Sequence, residues 1–126
     1  MTAPHRLLLI APPNSYRTAA YIAAARKNNI DVLVASEGRY SLSSEIAAGL
    51  HVDLQDPAAL SQLLAAGQER PFAGVVATDD ATVELGSRIA ARLNLPHNPP
   101  EAAQISRRKH LSRQALAAAG VSIPDF

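Results

Sequence analysis

The 126-residue sequence predicts an α/β domain with a mostly parallel sheet of about four to five strands and helices on both of its faces. Three observations lead there. Two short, continuous apolar runs, Arg6 to Ala11 (RLLLIA) and Phe72 to Thr78 (FAGVVAT), have the length and aliphatic character of strands buried on both faces. Alanine-rich stretches such as Ala23-Ala24-Ala25 and Ala117-Ala118-Ala119 suit helix interiors, because alanine is the strongest helix former and loses no side-chain entropy. Finally, residues 6–36 read strand, helix, strand, a βαβ unit whose right-handed crossover leaves its two strands parallel.

Each element follows from its own signals. Arg6–Ala11 is the first strand, stopped by Pro12-Pro13. Ser15 can cap a helix from about Tyr16 to Lys27, which Asn28-Asn29 ends in the left-handed turn that asparagine tolerates. Asp31 to Ser36 (DVLVAS) is the second strand. A Ser- and Gly-rich stretch, Glu37 to Gly49, holds a helical turn near Ser44-Glu45, and His51 to Leu54 reads as a shorter third strand. Asp56 before Pro57 starts a helix with proline in its first position, Gly67 stops it, and Leu60, Leu63 and Leu64 form its buried stripe. After the fourth strand, Phe72–Thr78, either Asp79 or Asp80 can cap a helix carrying Val83, Ile89, Ala90 and Leu93 at helical spacing, which Leu95-Pro96 ends. Asn98-Pro99-Pro100-Glu101 opens a short helix. Ser106 can cap a longer one reaching Ala119, Gly120 closes it, and a strand-like Val121-Ser122-Ile123-Pro124 follows. No linker divides the chain, so residues 1–126 read as one half-Rossmann, doubly wound domain.

Composition narrows the function. Twelve basic and eleven acidic residues leave a formal charge of +1, with no general pull toward nucleic acid or anionic lipid. The chain has no cysteine, so it has neither a disulfide framework nor a thiolate metal site, which suits the cytoplasm. The apolar run Leu7–Ala11 is too short for a membrane span or a signal-peptide core. The turn after the first strand, Ala11-Pro12-Pro13-Asn14-Ser15, lacks the glycines that let a nicotinamide dinucleotide approach the backbone, and no Gly-rich turn leads into Lys-Ser or Lys-Thr as a P-loop requires. His5, His51, His97 and His110 do not stand at metal-ligand spacing, and no metal site is expected within this chain.

Open parallel sheets bind ligands beyond the carboxyl ends of their strands. That rule groups Tyr16 and Arg17 after strand one, Glu37 after strand two, and Asp79-Asp80 after strand four as a substrate-facing rim. The plainer alternative makes Asp79 or Asp80 a helix cap and Arg17 a solvated first-turn residue. A second cluster, Arg107-Arg108-Lys109, is expected in the first turn of the last helix, where cations oppose the helix dipole unless an anion arrives. Arg113 lies one turn beyond Lys109 on the same face and reinforces it. No aromatic platform accompanies this basic group, which weighs against nucleic-acid binding.

Several segments in order carry a family resemblance: Gly74-Val75-Val76-Ala77-Thr78-Asp79-Asp80, Leu95-Pro96-His97-Asn98 with Glu101-Ala102-Ala103, Lys109-His110-Leu111-Ser112-Arg113, and Gly120-Val121-Ser122-Ile123-Pro124. The sequence resembles the ATP-grasp superfamily, in the branch near biotin carboxylase, carbamoyl-phosphate synthase and the amino-acid ligases. It departs from the family pattern at Ile123, where a second Pro-rich element often begins. The resemblance implies a pre-ATP-grasp domain at the N-terminus of a longer ligase, one that activates a small carboxylate as an acyl phosphate and passes it to an amine or thiol. It implies ATP with Mg²⁺ as cofactors, bound mostly by domains C-terminal to Phe126. Lys109 would be a nucleotide contact with Arg113 beside it, and a homodimer is a possible assembly. Catalysis then belongs to the full-length ligase and not to the isolated chain. The alternative from another class is a stand-alone binding or assembly module with the same fold and no catalysis.

Overall fold

Four strands and five helices form among residues 5–12, 16–37 and 48–124, the parts of the chain that the computed structural model describes. In chain order they are β1 (Arg6–Ile10), α1 (Thr18–Lys27), β2 (Asp31–Ser36), β3 (Ala48–His51), α2 (Ala58–Glu69), β4 (Gly74–Ala77), α3 (Val83–Arg92), α4 (Pro100–Arg107) and α5 (Lys109–Ala118). The sheet is parallel throughout, in the order β3-β2-β1-β4. β1 lies at its centre, in register Leu8↔Leu33 with β2 and Leu8↔Val75 with β4.

The two-residue period of a strand explains why β1 must be apolar at consecutive positions. Leu8 and Ile10 face one side, where Leu33 and Ala35 of β2 join Leu63 of α2 and Ile89 of α3 in the larger core cluster. Leu9 faces the other side with Val32 and Val34, covered by Ile22 and Ala25 of α1. Both faces are thus capped by helices. The chain steps outward from β1 to β2 to β3 and then crosses back to β4 on the other flank of β1. That reversal puts the topological switch point between the carboxyl ends of β1 and β4.

Local chemistry sets the element ends. Asn29 (φ 56) and Asn94 (φ 57) turn the chain after α1 and α3, and Gly120 (φ 84) does so after α5. At the head of α2 the Asp56 carboxylate accepts the Ala58 N–H at 2.9 Å and the Asp56 carbonyl accepts the Ala59 N–H at 2.9 Å, leaving Pro57 where a missing N–H costs nothing. Arg6 ties the far end of that helix to β1. Its guanidinium donates to the carbonyls of Ala66 (3.3 Å) and Arg70 (2.8 Å) and lies 4.7 Å from the centroid of the Phe72 ring. Burial, with Arg70 nearby, lowers the Arg6 pKa.

Several expected boundaries move. The third strand is Ala48–His51 and not His51–Leu54, because β3 pairs with β2 from Leu33↔Ala48 to Ser36↔His51. Beyond Val52, whose N–H still reaches the Ser36 carbonyl at 3.0 Å, the backbone leaves the sheet to give its Leu54 N–H to the Glu37 carboxylate at 2.8 Å. The helix expected to stop at Gly67 continues to Glu69. Gly67 is instead required by packing: a Cβ there would stand 3.1 Å from Leu93 Cδ1 and 3.2 Å from the Phe72 ring. Neither Asp79 nor Asp80 caps α3, whose N-cap is Thr82, with no side-chain hydrogen bond to the helix's first turn. Ser106 does not cap the last helix either, since it sits within α4 and its hydroxyl donates to the Ala103 carbonyl at 2.9 Å. Val121–Pro124 form no strand. The Ser15 cap and the turn near Ser44-Glu45 lie outside the described residues.

The last two helices differ from the rest. α4 packs on α3 and buries Ala103, while α5 packs against α4 and buries no residue at all. Leu116 and Val121 are 44% and 49% exposed, an apolar surface that α4 leaves uncovered.

Candidate functional site

The carboxyl ends of β1 and β4 are neighbours in the sheet, and four of the five residues expected on the rim follow those two strands. Tyr16 and Arg17 enter α1 directly after β1, and Asp79 and Asp80 follow β4, its neighbour in the sheet. Arg17 is held over Tyr16, 5.4 Å from the ring centroid, and its Nε donates to the phenol oxygen at 3.3 Å. That hydrogen bond raises the Arg17 pKa, with a smaller pull from the Asp79 carboxylate after β4. Tyr16 itself is 83% exposed, a large amphipathic ring at this end of the sheet.

Asp79 is half-buried and oriented by its neighbours. Its Oδ2 accepts the Thr78 hydroxyl at 2.8 Å, and its carbonyl accepts the hydroxyl of the fully buried Thr82 at 3.0 Å. Asp80 is exposed beside it. Thr18 at the start of α1 is buried with its hydroxyl oxygen unpaired. Arg17 lies close enough to Asp79 to feel its charge, which makes the carboxyl ends of β1 and β4 a polar setting.

Glu37 stands apart from this group. It follows β2 at the same end of the sheet, but its Oε1 is engaged by the Leu54 N–H, so it holds the turn between β3 and α2. The basic cluster is also divided. Arg107 is the last residue of α4, Arg108 is extended (φ −110, ψ 110) at the joint, and Lys109 begins α5. The three cations therefore do not share one first turn. Arg107 instead sits at the negative end of the α4 dipole, a favourable place, and pairs with Glu84 of α3 at 3.4 Å. Lys109 is exposed at the start of α5, a helix with neither an acidic residue in its first turn nor a side-chain cap, and Arg113 is half-buried one turn on.

Sequence reasoning passed over Glu84, which receives both Arg88 (2.9 Å) and Arg107 (3.4 Å). The Glu84–Arg88 spacing of four was a visible signal; the pairing to Arg107 across two helices was not. His97, in the loop after α3, has its Nδ1 2.9 Å from the Leu95 carbonyl and lines a cavity of about 250 Å³ beside β4 with Ala77, Gly86 and Asn98. Among the described residues, no group of three or more His, Asp or Glu is placed to hold a metal ion.

Comparison with known proteins gives this geometry its family. The profile of the ATP-grasp N-terminal domain matches residues 22–97, more than half of the sequence. The chain belongs to the ATP-grasp N-terminal domain family. A search of curated proteins finds no match. Among solved structures, it superposes on an L-amino acid ligase from Bacillus licheniformis with a TM-score of 0.82 at 20% identity, covering 98% of this chain and 32% of that one. Phosphoribosylglycinamide synthetase from Anaerococcus prevotii matches with a TM-score of 0.76 at 18% identity, over 93% of this chain and 29% of the other. The ADP complex of purK, an N5-carboxyaminoimidazole ribonucleotide synthetase, matches with a TM-score of 0.69 at 11% identity, over 97% and 31%. At these identities the likeness is one of fold. The chain spans about a third of the length of these proteins.

Proposed function

We propose that this chain serves as the N-terminal domain of an ATP-dependent ligase that joins a carboxylate to an amine or a thiol through an acyl phosphate. The family match carries the reading. The thin packing of α5 supports it, because a helix with no fully buried residue and an exposed Leu116 gains packing from a further partner. In such a reaction a carboxylate oxygen attacks the γ-phosphorus of ATP, ADP leaves, and the amine or thiol then displaces phosphate from the acyl phosphate. Mg²⁺ and most of the ATP contacts would come from domains C-terminal to Phe126; no step is assigned to a metal held by this chain. The cysteine-free composition fits a cytoplasmic enzyme. No helix among the described residues is long and apolar enough to cross a membrane.

Within that ligase, the β1–β4 crevice would face the acceptor substrate through Tyr16, Arg17, Asp79 and Asp80. Glu37 would act on it indirectly, by fixing the turn at Leu54. Alanine at Asp79 or at Asp80 in the full-length ligase should raise the KM for the substrate. Unchanged kinetics in both variants would remove the crevice from the reading.

The ATP contact is assigned to Lys109, with Arg113 in support. The start of α5 presents backbone N–H groups and an exposed ammonium without a competing carboxylate in the same turn, a setting that favours a phosphate oxygen. In the full-length ligase at fixed salt and Mg²⁺, Lys109→Ala should weaken ATP binding by about tenfold, equivalent to about 1.4 kcal/mol. Arg107→Ala, which breaks the pair with Glu84 away from the start of α5, should change it by less than about twofold. If Lys109→Ala also stays within about twofold, the phosphate assignment is wrong and the residue is merely solvated.

A further inference from the structure

A second cavity lies at the carboxyl end of the sheet, on the face that carries α2 and α3. It has a volume of about 370 Å³ and opens between the amino ends of those two helices, with the last residue of α4 at its rim. Tyr16 and Arg17 lead into α1 on the opposite face, so this is not the β1–β4 crevice. Its floor is apolar: Leu54, Leu60 and Leu85, each packed against the larger core. Around that floor stand two carboxylates, Asp56 and Glu84, and two guanidiniums, Arg88 and Arg107.

The geometry points to a binding site for an aliphatic α-amino acid, held as its zwitterion. Two positive and two negative side chains make the lining neutral overall, which matches a net-neutral ligand with separated charges better than a simple anion or cation. The charged groups keep unused capacity. Arg88 engages Glu84 through one Nη and Arg107 through another, at the long distance of 3.4 Å, while each guanidinium has five N–H donors. Their side chains are 56% and 37% exposed, so both can turn toward a carboxylate in the cavity. Asp56 gives one oxygen to the Ala58 N–H and has its second for an ammonium. The amino ends of α2 and α3 add to the attraction for the ligand's carboxylate. Its size, near the lower limit of small-molecule sites at about 300–1,000 Å³, suits an amino acid. The three leucines of the floor then favour an aliphatic side chain. This assignment does not depend on the ligase reading or on Lys109.

The test is a titration of the 126-residue chain, followed by the backbone amide resonances of Asp56, Ala81, Glu84 and Leu85. L-leucine is compared with isoamylamine, which lacks its carboxylate, and with 4-methylpentanoate, which lacks its ammonium. Leucine should saturate these shifts and bind at least about tenfold more tightly than either half-ligand. Arg107→Gln should erase its advantage over isoamylamine. Asp56→Asn, which keeps a helix-capping oxygen, should erase its advantage over 4-methylpentanoate. Leucine binding no tighter than both half-ligands, shifting resonances elsewhere, or losing nothing in the two variants would overturn the assignment. The first comparison uses only the unaltered chain, so it stands even if a variant folds poorly.

Discussion

Leu63→Ala should lower the stability of the isolated chain by about 2–5 kcal/mol, the range for a leucine removed from a packed interior. Leu63 is fully buried, and it is the α2 residue that joins Leu8, Ile10, Leu33 and Ile89 in the larger core. Truncation there loses the transfer energy of the side chain and leaves a cavity between a helix and the centre of the sheet, where a rigid parallel ladder limits collapse. Leu116→Ala is the matched control. It removes the same atoms from a residue that is 44% exposed on α5, and in the isolated chain it should change stability by no more than about 0.5 kcal/mol. Urea unfolding of the two variants against the parent measures both. A loss below about 1 kcal/mol at Leu63 would mean that α2 does not pack on the sheet as described.

Most of the fold was legible because its signals are local or periodic. β2 is found at Asp31–Ser36, as read from its apolar run, and Asn29 takes the left-handed turn that its residue type suggested. Asp56 and Pro57 mark the start of α2 as expected, although Pro57 stands at the N-cap and Ala58 is the first helical residue. Errors arose where tertiary contacts outweigh local signals. Gly67 reads as a helix stop, yet the helix runs through it because Leu93 and Phe72 press too closely to admit a Cβ. β3 was placed three residues too late, since its register depends on pairing with β2 and on the Glu37–Leu54 bond, neither of which leaves a mark in the segment itself.

The expected rim residues were placed by strand order, while their partners were not legible. Strand order alone, once given, brings Tyr16 and Arg17 beside Asp79 and Asp80. That Glu37 turns to a backbone N–H, or that Arg107 closes α4 on Glu84, depends on where groups 17 or 23 positions apart meet. The basic run Arg107-Arg108-Lys109 looked like one feature. The extended backbone at Arg108 makes it two, and only its last member heads α5.

The proposed function makes this domain part of a ligase, with no turnover of its own. The difference should be close to all or none, because phosphoryl transfer rests on positioning and charge neutralisation by groups assigned to the parts beyond Phe126. The most direct measurement is ADP formation from ATP and Mg²⁺ with a panel of carboxylates and amines, by the 126-residue chain and by the full product of the reading frame that contains it. Carboxylate-dependent ADP release is expected from the full product and none above background from the chain. Turnover by the chain alone, or a full product that stops at Phe126, would contradict it.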